Sequence, residues 1–202
     1  MENNYKIILA SKSPRRAEIL KMIKVNFEVV PSKIKEEINP RIGQNEIAIN
    51  ISKTKAETIS HRYPKDIIIG ADTIVVLNEE IFGKPKDKNE SRKMLKALSG
   101  NCHEVITGVT IMNERFGVLK TFSETTKVFV HEIPTKQIEF YVNNYNTLDK
   151  AGSYGIQEWF SVWIKKINGC YYNVMGLPVS KLHRHLVVIE KLMKSRYGYK
   201  EV

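Results

Sequence analysis

The sequence predicts an α/β protein built on a mixed, twisted sheet with flanking helices, and three observations lead there. Short apolar runs of strand length alternate with longer segments whose apolar residues recur at helical spacing. No internal repeat and no low-complexity linker interrupts the alternation. At 202 residues the chain can bury a substantial core, as one domain or as two small lobes.

The elements follow in order. Residues 6–9 are an apolar run of strand type, after which Ser13 is a good N-cap and Pro14 suits the first helical position. Ala17, Ile19, Leu20 and Ile23 continue as a helical stripe, and residues 27–31 read as the next strand. Ile47, Ile51, Lys55 and Ile59 place a helix over 44–61. Two strand-like runs, 67–69 and 74–77, are separated by Gly70-Ala71-Asp72-Thr73. Residues 87–98 are helical, with Ser99-Gly100 as the stop. Residues 103–112 and 120–130 form antiparallel strands joined around 113–117. A short helix spans 135–145, and 160–167 with 171–174 form a hairpin through Asn168-Gly169. Pro178 opens the last helix.

Composition narrows the function classes. Apolar residues make up 42% of the chain and charged residues 27%, the balance of an ordinary globular protein. No apolar run approaches the ~20 residues of a membrane span, and the polar first five residues do not open a signal peptide. Cys102 and Cys170 are far apart with no CxxC, which argues against a disulfide framework or zinc ribbon and for a cytoplasmic protein. The net charge of +10 is spread along the chain with glutamates interleaved. Its densest stretch, 181–200, alternates with Leu182, Leu186, Val187, Ile189, Leu192 and Met193, the pattern of a solvated helix face rather than a nucleic-acid arm. A positive field of this kind still draws in polyanionic small molecules.

Residues with chemistry fall in the breaks of the pattern. Between the first strand and the first helix, free N–H groups and the helix dipole attract phosphate, and Arg15 and Arg16 stand in the first helical turn. The alternative is an ordinary capped helix with two solvated arginines. Asp72, between two apolar runs, is expensive to bury unless paired, metal-bound or working; otherwise it is a strand-end aspartate satisfying turn amides. Lys84 in Gly83-Lys84-Pro85 suits a phosphate as a point charge, or is a common turn lysine. The loop from Asp149 to Gln157 is punctuated by Gly152 and Gly155, which permit close backbone approach to a ligand, and Gln157 can donate and accept toward a base edge.

In order and spacing, these strings resemble the Maf family of nucleoside triphosphate pyrophosphatases over nearly the whole chain. The resemblance is carried by Leu9-Ala10-Ser11-x-Ser13-Pro14-Arg15-Arg16, by Lys55-Ala56, and by Gly70-Ala71-Asp72-Thr73-Ile74-Val75. It continues through Gly83-Lys84-Pro85, Leu98-Ser99-Gly100 with His103 and Thr107-Gly108, Asp149-Lys150-Ala151-Gly152 through Gln157, and Tyr172-Asn173-Val174-x-Gly176-Leu177-Pro178. It implies a single Maf-like domain over residues 1–202, with two lobes around a cleft, similar to the inosine-triphosphate pyrophosphatases. The implied reaction is hydrolysis of a nucleoside triphosphate between the α and β phosphates, giving a monophosphate and pyrophosphate, in a house-cleaning role.

By the same resemblance Asp72 matches the catalytic proton acceptor, and Ser11, Arg15, Lys55 and Lys84 match phosphate-handling positions. Arg15, Thr73 and Gln157 occupy specificity positions, and the signatures around Thr73 and Gln157 are those of the branch acting on dTTP and UTP. A divalent cation, Mg2+ or Mn2+, is implied, with Glu36 and Asp72 near it. A homodimer is compatible with the family. Two departures bear on substrate preference: Asn101-Cys102 after Ser99-Gly100, and the bulky Glu158-Trp159 after Gln157. The alternative, from the family's association with blocked septum formation, is a regulatory protein that binds nucleotide or nucleic acid. The intact set of Asp72, Lys55, Lys84 and Gln157 argues for the enzyme, and no P-loop string exists in the chain.

Overall fold

The computed structural model describes residues 5–34, 39 and 41–197, with side chains to residue 195. Its elements are β1 (Ile7–Leu9), α1 (Pro14–Met22), β2 (Phe27–Val29), α2 (Gln44–Ser60), β3 (Ile67–Leu77), β4 (Glu80–Phe82), α3 (Lys88–Leu98), β5 (Cys102–Asn113), β6 (Val118–Val130), α4 (Thr135–Asn144), β7 (Ile164–Asn168), α5 (Tyr171–Met175) and α6 (Val179–Tyr197). Seven strands form one mixed sheet in the order β2-β1-β3-β5-β6-β7, with β4 on β3. β1 pairs in parallel with β2 and with β3, Ile8 standing opposite Glu28 on one side and Ile68 on the other. β4 and β7 are antiparallel to β3 and β6. Among the described residues no helix is long and apolar enough to cross a membrane.

The chain divides into two compact units, and β3, β5 and β6 each run from one into the other. The first holds residues 1–72, 107–123 and 176–202. There Ile8 of β1, Ala10 just after it, Ile68 of β3, and Ala56 and Ile59 of α2 form an apolar cluster. Two glycines let α2 lie directly on the sheet. A Cβ at Gly70 would stand 2.1 Å from the Ser52 carbonyl oxygen, and one at Gly108 would stand 2.2 Å from the Ala48 backbone. The Ser52 and Thr110 hydroxyls, 2.8 Å apart, bond across the same contact.

The second unit holds residues 73–106 and 124–175. Its core gathers Val75, Leu77 and Phe82 with Leu95, Leu98, Tyr141, Tyr154 and Phe160. α3 begins as the sequence predicts: Asp87 caps it, accepting from the backbone N–H of Asn89 and Glu90 at 2.7 and 2.8 Å. Arg92 ties α3 to α4 through both carboxylate oxygens of Glu139, at 2.9 and 2.8 Å.

Two expectations are corrected. The runs 67–69 and 74–77 belong to one unbroken strand of 11 residues, β3, because β1 pairs with its first half and β4 with its second. The hairpin over 160–174 does not form. Residues 164–168 take the edge of β6 instead, after a 3-10 turn over Trp159–Trp163, and 171–175 close into α5. Thr126 of β6 fixes that outcome: its Oγ1 accepts from the Cys170 N–H at 3.0 Å and from Asn173 Nδ2 at 3.0 Å.

Candidate active site

Asp72 stands in the middle of β3 with 5% of its surface exposed. A carboxylate at that depth is costly unless paired, and α2 supplies the partner. Lys55 lies in the buried stripe of α2 between Ile51 and Ile59, and its Nζ is 2.6 Å from Asp72 Oδ1. The close seat of α2 over Gly70 sets the distance across which this lysine reaches. The pair thus fixes a carboxylate at one point of the fold, with an ammonium beside it of the kind that suits a phosphate oxygen.

Ser11 follows β1 in the same unit and is buried. Its Oγ accepts from Arg16 Nη1 at 2.8 Å and from the Ser13 backbone N–H at 3.3 Å, so the hydroxyl proton is what Ser11 has to offer an anion. Of the two adjacent arginines, Arg16 turns inward, its Nε donating to the Gly176 carbonyl at 2.8 Å. It is a brace between the Ser11 turn and the start of α6, a role that spacing along the chain does not reveal. Arg15, in the first turn of α1, is half-buried. Pro14 opens α1 as predicted, while Ser13 stands at the N-cap without a side-chain cap bond. Glu36 lies outside the described residues.

In the second unit, Thr73 follows Asp72 along β3 and is half-buried, while Lys84 is exposed in the turn after β4. That turn is tied to the glycine-punctuated loop by a bond from the Gly152 N–H to the Gly83 carbonyl, at 3.1 Å. Gln157 is exposed, between the buried Ile156 and a partly buried Glu158.

His103 is part of the core. It is buried in β5 with its Nε2 2.7 Å from the Tyr154 hydroxyl, and its Nδ1 has no partner. Burial lowers its pKa from 6.5 to about 4. The unfolded chain therefore takes up a proton at this residue before the folded chain does. The stability that neutral His103 contributes is present above pH 6.5 and is lost as pH falls toward 4. The loss is about 1.4 kcal/mol per pH unit within that window. Denaturant melts of wild type and His103→Gln should show their stability difference shrinking from pH 7.5 to pH 4.5.

The family model for Maf-like proteins matches residues 6–189. The chain belongs to the Maf family. Its Maf relatives include the dTTP/UTP pyrophosphatase of Carboxydothermus hydrogenoformans, 45% identical over 90% of this chain and 97% of that protein. Another, of the same name from Thermosipho africanus, is 50% identical over 88% and 90%. A third, from Cytophaga hutchinsonii, is 45% identical over 89% and 82%. A solved structure, that of the Staphylococcus aureus Ham1 protein, matches at 12% identity over 92% of this chain and 99% of that one. Its TM-score is 0.49.

Both departures from the Maf pattern have structural work. Asn101 Nδ2 donates to the Ala97 and Ser99 carbonyls, at 2.8 and 3.2 Å, closing the end of α3. Trp159 packs among Phe140 and Tyr141 of α4 and Tyr145, the residue that follows it. Glu158 turns inward to Lys150 and Tyr141.

Proposed function

We propose that this protein is a nucleoside triphosphate pyrophosphatase acting on dTTP and UTP, working as one Maf-like domain in the cytoplasm. The observation that carries the reading is the buried Lys55–Asp72 pair, set in a chain whose relatives carry the name dTTP/UTP pyrophosphatase. In this reading water attacks the α phosphorus, the bond from that phosphorus to the α–β bridging oxygen breaks, and pyrophosphate leaves. Asp72 orients the water and accepts its proton. Lys55 holds Asp72 in place and stands ready beside the phosphates, and Ser11 donates its hydroxyl to a phosphate oxygen. Arg15 grips phosphate oxygens in a fork, and Lys84 adds a point charge to the departing pyrophosphate. Arg15, Thr73 and Gln157 select the nucleotide, with Gln157 pairing to the pyrimidine edge.

The reaction calls for a divalent cation. Among the described residues no group of three His, Cys, Asp or Glu side chains could cage one. One buried carboxylate fits a hard ion such as Mg2+ or Mn2+ held mainly by phosphate oxygens and water. Asp72 would hold it, joined by Glu36. Such an ion supplies charge neutralisation on the phosphates and acidifies water. A carboxylate with an ordinary pKa of ~4 is a weak base for unaided water, and the cation makes up the difference.

Purified protein with Mg2+ or Mn2+ is expected to release pyrophosphate from dTTP and UTP faster than from ATP or GTP. Orthophosphate as the first product would overturn the assigned bond. Salt-dependent DNA retention with no nucleotide turnover would favour the regulatory alternative instead.

A further inference from the structure

We propose that Glu158 is a positioning residue that sets base selectivity by fixing the turn on which Gln157 stands. This rests on the reading that Gln157 meets the base. One hydroxyl gathers both arms of that turn. Tyr141 Oη accepts from the Gly155 N–H at 3.1 Å, two residues before Gln157, and donates to Glu158 Oε2 at 2.9 Å, one residue after it. The other carboxylate oxygen, Oε1, lies 3.0 Å from Lys150 Nζ. Both anchors are deep: Tyr141 is 1% exposed and Lys150 4%. Burial pushes the Tyr141 hydroxyl well above its usual pKa, so it stays a donor.

The turn is built around this carboxylate. A Cβ at Gly155 would stand 2.8 Å from Glu158 Cδ and 3.0 Å from Lys150 Cε, so the ion pair passes under position 155 only because no side chain is there. The Glu158 N–H donates to the Gly155 carbonyl at 3.2 Å, and the Glu158 carbonyl accepts from the Ser161 N–H at 2.9 Å. Gln157 itself is exposed, between the 4% exposed Ile156 of the core and the anchored Glu158. Its backbone is held on both sides while its amide faces out. A reading residue needs that combination, because a loosely held amide loses affinity to the entropy of ordering it.

Removing Glu158 should leave the fold standing. Lys150 keeps Asp149 at 2.9 Å and the Asn146 carbonyl, so its buried charge is not orphaned. The test is steady-state kinetics of Glu158→Ala and Glu158→Gln on dTTP, UTP and dCTP, with melting temperatures. For Glu158→Ala the preference for dTTP over dCTP in kcat/KM should fall by about tenfold, mainly through KM. Glu158→Gln, which can still accept from Tyr141, should lie between it and wild type. An unchanged preference overturns the proposal, as does an equal loss for all nucleotides that tracks the melting temperature. Should Glu158→Ala fail to fold, Tyr141→Phe decides: a weakened preference supports the clamp, and an intact one overturns it. A wild-type protein without preference for dTTP over dCTP sinks the underlying reading of Gln157, a result distinct from a wild-type preference that survives in the variants.

Discussion

Replacing Asp72 by asparagine is expected to cut pyrophosphate release from dTTP by about 10²–10⁴-fold, the usual scale for loss of a general base. The substitution is nearly isosteric and keeps an oxygen that can accept from Lys55, whose Nζ lies 2.6 Å from Oδ1 in the native chain. What disappears is the proton-accepting charge. Because Lys55 is 7% exposed, the variant also carries a buried ammonium facing a neutral amide, and its melting temperature should fall. The two effects separate experimentally. Circular dichroism and a thermal melt report the fold, while kcat at a temperature where both proteins are folded reports the chemistry. Full activity in Asp72→Asn would assign the proton acceptor elsewhere.

Much of the first unit was legible in the sequence for a reason visible in that pair. Ile47, Ile51, Lys55 and Ile59 share one helical stripe, and a lysine in a buried stripe demands an anion. Asp72 in an apolar strand demands a cation. The sequence shows two unmet needs, and the fold meets them with each other. The break read at residues 70–73 was wrong because alternation is judged along one strand, whereas β3 is kept continuous by β1 pairing with its first half and β4 with its second. Spacing likewise could not reveal Arg16, whose partner Gly176 is 160 residues away. The Tyr141 clamp was hidden for the same reason, since it draws on α4 and both arms of a loop. The false hairpin came from Asn168-Gly169, a strong local turn signal that the side chain of Thr126 redirects.

Gly70→Ala should destabilise the fold strongly, as Gly108→Ala should, and it should carry activity down with it. The new Cβ would stand 2.1 Å from the Ser52 carbonyl oxygen and 3.0 Å from the Ala56 nitrogen, both backbone atoms of α2 that no rotamer change can move. Overpacking of this kind costs roughly 1–3 kcal/mol and at times more, and a backbone-on-backbone clash belongs at the upper end. Relief requires α2 to lift from β3. Lys55 lies between the two clashing positions on that helix, so the lift draws its ammonium away from Asp72. The variant should therefore unfold at lower denaturant and, while still folded, turn over dTTP more slowly than wild type. Gly83→Ala, where an added Cβ meets nothing within 4 Å, is the matched control for stability. If Gly70→Ala melts like Gly83→Ala, α2 does not rest on β3 as described, and the route by which the fold presents Lys55 to Asp72 falls with it.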